Sequence, residues 1–198
     1  MSEKKELTVV WVDTETTGKD PAISAAFEIA ILVYQGGRFV EGKVFHLNPL
    51  TETIKFSEEA YKVNGISEET IKSYPPAHKV VYEMAGFLER YVNEADPIEE
   101  RLVMAGYYIG FDYGHIKALF ERYGFAMDYF FSGRMIDVYE LVKRACNKGI
   151  LPRTPNKKLE TMTKALGIAH DGAHSALSDI KAARKLYETI YRMGRSKQ

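Results

Sequence analysis

Two adjacent glycines, Gly36-Gly37, divide two strand-like runs, Phe27 to Tyr34 and Phe39 to Leu47. A third run, Leu7 to Asp13, precedes them and stops at a polar turn, Thr14 to Gly18. A two-glycine loop supplies the positive φ angles of a tight hairpin, so the chain opens as an antiparallel meander. The pattern then changes period. Ser57-Glu58-Glu59 and Ser67-Glu68-Glu69 have the form of helix starts, with a capping hydroxyl and acids in the first turn. After Pro75-Pro76, residues Val80, Val81, Met84, Phe87, Leu88 and Tyr91 recur at helical spacing. Arg101 to Ala105 and Arg134 to Val138 are short strands, each followed by a helix, the first over Asp112 to Tyr123 and the second ending near Lys148-Gly149. Two more helices are predicted near Lys158–Leu166 and Ala173–Met193. Three strands joined by tight turns, then strands alternating with helices, predict an α/β fold. Its mixed five-stranded sheet has a meander plus two parallel strands reached by right-handed crossovers, and helices cover it.

With 198 residues and no repeat or low-complexity linker, a single domain over 1–198 is expected, with a core from about 7 to 193. Hydrophobic residues make up 45% and charged residues 27%, which excludes a disordered or fibrous chain. A lone cysteine, Cys146, excludes an internal disulfide framework and a multi-cysteine zinc site, and fits a reducing, cytoplasmic setting. The first residues have no long apolar core of the kind a signal peptide needs. The run Ala22 to Tyr34 is broken by Glu28 and is too short to span a bilayer.

The chemistry concentrates in Asp13-Thr14-Glu15-Thr16-Thr17-Gly18. Residues i and i+2 of a strand share a side, so Asp13 and Glu15 present two carboxylates together at the end of the first strand. Such a pair repels itself, and hard divalent cations relieve the repulsion because they favour oxygen ligands. A bare Asp-x-Glu would be an ordinary polar turn; the longer string is more specific.

That string resembles the first motif of the DEDD exonucleases, in the DnaQ-like superfamily with a ribonuclease-H-like fold. The resemblance demands a second Asp, usually after Phe, at the start of the helix following the fourth strand, and Phe111-Asp112 lies there. In the subgroup that uses histidine it also demands His-x-x-x-x-Asp on the last helix, and His174-Ser175-Ala176-Leu177-Ser178-Asp179 supplies it. The match runs from residue 9 to about 190. One departure stands out: where relatives often carry His-Asn, four residues before the Phe-Asp pair, this chain has Tyr107-Tyr108. Val63-Asn64-Gly65-Ile66 resembles a stretch that reads His-Gly-Ile or Asn-Gly-Ile in different branches, and it does not choose between DNA and RNA.

The resemblance implies two divalent cations, Mg²⁺ or Mn²⁺, with Asp13 serving both, Glu15 and Asp179 completing one site and Asp112 the other. His174 would be the general base that takes a proton from the attacking water, and the product a nucleoside 5′-monophosphate. Thr16, Thr17, Gly18 and Phe111 would lie against the terminal nucleotide. Alone, Asp179 would be a surface helix acid and Asp112 a helix cap. His170 is nine residues from Asp179 and does not match the motif, and His115 is expected to pack or lie at the surface. Glu28 and Asp137 are expected to support the scaffold and Cys146 to be a bystander.

The implied activity is 3′–5′ exonucleolytic removal of mononucleotides from single-stranded or frayed DNA ends, as in proofreading or repair. RNA 3′-end trimming, RNase T-like or oligoribonuclease-like, is the enzymatic alternative. A non-catalytic polymerase-associated subunit is the alternative of another class, opposed by the presence of all five catalytic residue types. Expected partners are nucleic acid 3′ ends, then a polymerase or repair protein or a second copy in a homodimer, and no membrane. The formal net charge is zero, yet residues 52–100 carry eleven acids against five Lys and Arg. Residues 141–159 carry six Lys and Arg and no acid, a segment suited to tracking a phosphate backbone.

Overall fold

The computed structural model describes residues 6–171 and 175–195. Its five strands are β1 (Thr8–Thr16), β2 (Ala26–Gln35), β3 (Arg38–His46), β4 (Leu102–Gly106) and β5 (Phe131–Asp137). The helices are α1 (Glu58–Asn64), α2 (Glu68–Ser73), α3 (Ala77–Glu89), α4 (Gly110–Arg122), α5 (Met127–Phe130), α6 (Val138–Asn147), α7 (Leu159–Ala165) and α8 (Ala176–Arg195). The strands form one sheet in the order β3-β2-β1-β4-β5. β1, β2 and β3 pair antiparallel, and β4 and β5 run parallel to β1. This is the mixed sheet that the run of hairpin and crossovers predicts. Gly36 and Gly37 have φ of 55° and 82°, the left-handed conformations that a two-residue hairpin needs.

Alternation along β1 and β2 sorts side chains into two buried layers. Val10, Val12, Ile29, Ile31 and Val33 face α3 and α4, whereas Trp11, Ala30 and Leu32 face α6, α7 and α8. Because both faces of the central strands are covered, their sequences are continuously apolar rather than alternating. Ser57 and Ser67 cap α1 and α2, accepting from Ala60 N–H and Thr70 N–H, as their sequence patterns predict. The one-turn helix α5 has no counterpart in the sequence pattern: four residues are too short for a helical period to register.

A larger difference lies at the end of β1. The sequence pattern stops this strand at Asp13 and turns from Thr14, but the strand continues to Thr16. The long partner β2 holds it extended, pairing Asp13 with Ala30, Thr14 with Ile29 and Glu15 with Glu28. On the other side, β4 pairs with β1 only over Val9, Val10 and Trp11. A Cβ on Gly106 would meet the Val12 carbonyl at 2.6 Å, so glycine permits the close approach just where the two strands part. Beyond Trp11, β1 therefore has an open edge at its carboxyl end, beside a parallel neighbour, which is where open α/β sheets form clefts.

Candidate active site

Strand parity decides what enters that cleft. Asp13 and Glu15 share the face of Trp11, the side of α8, and Thr14 points the other way, towards α4. From α8, Asp179 joins the first two, and ligand oxygens of Asp13, Glu15 and Asp179 lie within 4.8 Å of one another. From the first turn of α4, Asp112 is held by Thr14, whose Oγ1 donates to Asp112 Oδ1 at 2.7 Å in a buried contact. The structure thus brings together all four predicted carboxylates, three as a tight cluster and Asp112 beside it. They line a cleft of about 880 Å³ with Thr16, Thr17, Gly18, Phe111, Tyr107 and Tyr108.

Supporting contacts fix the acids. Glu28 Oε1 accepts from Ala176 N–H at 2.9 Å at the start of α8, and Glu28 Oε2 meets His46 Nε2 at 3.1 Å. This ties α8 to β2, one turn before Asp179. Asp137 Oδ1 caps α6 through Tyr139 N–H and Glu140 N–H and also accepts from Tyr108 N–H. Both acids are scaffold groups, as expected from their strand-like surroundings. His115 is buried between Ser24 Oγ and the Phe111 carbonyl, a packing histidine whose pKa burial pushes down.

Two placements add to the motif. Thr17 is wholly buried and its Oγ1 accepts from Ala25 N–H, which fixes this part of the cleft wall. His170, whose spacing does not match the motif, places Nε2 2.6 Å from Asp179 Oδ1 with its side chain only 6% exposed. Its other nitrogen lies 3.5 Å from Thr163 Oγ1. The α7–α8 connection folds His170 back onto α8, a tertiary closeness that no local spacing encodes. His174 lies outside the described residues.

The electrostatics are those of crowded, buried carboxylates. Burial first, then the charges of Asp112, Asp179, Glu15 and Glu28, hold the Asp13 carboxyl well above the usual carboxylate range. Burial, with Asp179, Glu28 and Asp112, pushes Glu15 up to about 8. Burial raises Asp112 to about 7 against the opposing hydrogen bonds from Thr14. Oxygen-only donors, crowded and costly to ionise together, fit a hard divalent cation.

A profile of the exonuclease family (RNase_T) matches residues 10–187, which takes in most of β1, the cleft acids and more than half of α8. The chain belongs to the exonuclease family. Within it the motifs are those of the DnaQ-like 3′–5′ exonucleases. This exonuclease chain is 25% identical over 182 residues to the PolC-type DNA polymerase III of Thermotoga maritima, covering 92% of itself but 12% of the polymerase. It is 27% identical over 180 residues to the oligoribonuclease of Pseudoalteromonas atlantica, covering 87% of both chains. Its fold is similar to that of E. coli exonuclease I in complex with an oligonucleotide, with a TM-score of 0.78 and 21% identity over 94% of this chain and 41% of that one. Among the described residues no helix is long and apolar enough to cross a membrane.

Proposed function

We propose that the protein is a divalent-metal-dependent 3′–5′ exonuclease that removes nucleoside 5′-monophosphates from single-stranded or frayed 3′ ends. The observation that carries the reading is the convergence of Asp13, Glu15 and Asp179 within 4.8 Å, beside Asp112, in an open cleft. Asp13, Glu15 and Asp179 would hold one Mg²⁺ or Mn²⁺, and Asp112 with Asp13 a second. When bound, such ions supply positive charge at the phosphodiester and make the attacking water more acidic. The chain's own groups do the rest. His174 accepts the proton of that water, Thr14 holds Asp112 in place, and His170 donates to Asp179 and fixes its orientation. Phe111 and the Thr16–Gly18 wall position the terminal nucleotide.

DNA is the first substrate reading, supported by the likeness to the PolC-type polymerases, of which the chain spans about an eighth. On that reading a polymerase or repair protein is the partner to seek. RNA trimming is a second reading, supported by the match to an oligoribonuclease along nearly its whole length. Release of labelled mononucleotides from DNA and RNA oligomers of matched sequence separates the two. Preference for RNA of tenfold or more in kcat/KM would put RNA first, and inactivity on both would end the exonuclease reading.

On this reading the basic segment carries the strand towards the cleft. The Tyr107 hydroxyl donates to the Lys157 carbonyl, tying the loop to the wall of the cleft. Arg153 and Lys157 line a second hollow of about 400 Å³ with Cys146, Asn147 and Thr154. Lys143, by contrast, already pairs with Glu140 at 2.8 Å. Single-strand binding weakens with salt by a log–log slope of about −0.7 per neutralised phosphate. Replacing Arg153, Lys157 and Lys158 together by Ser should flatten the slope by up to about 2 and raise KM more than it lowers kcat. Coincident salt slopes for parent and triple variant would leave the loop a solvated surface.

A further inference from the structure

Tyr108 lies in the short connection between β4 and α4 and is, among the described residues, the one non-glycine with φ in the left-handed region, at 59°. A bulky aromatic residue resists this conformation, and such strain persists only where the surroundings impose it. Here the imposing group is Asp137, whose Oδ1 accepts the Tyr108 N–H at 3.2 Å while capping α6. The packing of the ring does not account for the strain. Tyr108 meets Tyr139 at 5.5 Å between centroids and 83° between planes, yet the residue stays 60% exposed. Its backbone is locked and its side chain is left in solvent at the rim of the cleft that holds Asp13 and Asp112. Ile23 and Val63, 60% and 55% exposed, line the same cleft, so its mouth offers apolar surface beside the exposed charges of Lys19, Asp20, Lys55 and Glu59.

We infer that Tyr108 is a stacking platform for a nucleobase next to the 3′ end, a positioning residue that sets affinity for the unpaired strand. The inference rests on the exonuclease reading and deepens it. The acids and their cations deal with phosphate, whereas a base needs an aromatic face, and stacking on one is tolerant of sequence. An edge-on contact with Tyr139 steadies the ring without covering it. The pinned backbone removes the freedom that would otherwise oppose stacking.

The test compares the wild type with Tyr108→Asn and Tyr108→Phe. Asn tolerates left-handed φ, so the first variant removes the ring while easing the backbone and should melt no lower than the parent. Tyr108→Asn should raise KM for a single-stranded oligomer by roughly 5- to 100-fold, with the smaller part of the loss in kcat, and Tyr108→Phe should restore KM to within about twofold. On an oligomer whose last two nucleotides are abasic the gap between wild type and Tyr108→Asn should close, because no base is left to stack. Equal KM values on the normal oligomer, or an equal penalty on the abasic one, would overturn the platform alone. A wild-type protein that releases no mononucleotide from any oligomer would overturn the exonuclease reading and the platform with it.

Discussion

Asp13→Asn is expected to abolish mononucleotide release and, in metal-free protein at pH 8, to raise the thermal midpoint. The two effects share one cause. Asp13 stands at the centre of the cluster, where burial and four neighbouring carboxylates disfavour its charge. Without a cation, every proton lost from the cluster adds repulsion in a poorly solvated place. The folded pKa values lie above the unfolded ones, Glu15 moving from 4.5 to about 8. The native state thus binds more protons than the unfolded chain across that window. The cluster's favourable contribution is complete below pH 4.5 and is lost as pH rises through about 8. Asp13→Asn removes a carboxyl whose ionisation the cluster opposes and should raise the metal-free thermal midpoint at pH 8. Saturating Mg²⁺ or Mn²⁺ should stabilise the wild type most at the alkaline end and do little for the variant. Thermal melts from pH 5 to 8, with and without chelator, check this. A metal-free midpoint that does not fall across that range, or a pure Asp13→Asn sample that still degrades oligomers, would remove the cluster from the chemistry.

The second large effect concerns the base. His174→Asn should slow turnover by roughly 10²–10⁴-fold and erase the acidic limb of the pH–rate profile, since a protonated imidazole cannot accept the water's proton. His170→Asn should behave differently. With Nε2 2.6 Å from Asp179 Oδ1 and the side chain almost wholly buried, His170 is placed to orient a carboxylate, not to meet water in the cleft. Its loss should raise the metal concentration required for half-maximal rate by about 10–100-fold while the acidic limb remains. Full activity in His174→Asn, together with a lost acidic limb in His170→Asn, would transfer the base to His170.

The strand runs, the glycine hairpin and the serine helix starts were legible because each is a local rule: period two, positive φ, a hydroxyl before an amide. Asp13, Glu15, Asp112 and Asp179 were legible as a set because motifs in chain order carry a family resemblance. Residue spacing alone would have left Asp112 and Asp179 as ordinary helix acids. Glu28 was recognisable as a supporting acid from its apolar strand, though not its partner, Ala176 N–H, 148 positions away.

By itself, then, the sequence determined the meander, the alternation that puts Asp13 and Glu15 on one face, and the order in which the remaining acids arrive. Only the tertiary structure decided that β1 stays extended to Thr16, that Thr14 holds Asp112, that His170 reaches Asp179 and that Tyr108 stands strained and exposed at the rim. Each of these depends on a partner in another element: β2 extending the end of β1, α4 meeting its open edge, the residues after α7 meeting α8, and Asp137 of β5 gripping the peptide of Tyr108. Side-chain direction and periodicity are properties of a few neighbouring residues, whereas such pairings arise when the sheet and its helices close around a common core.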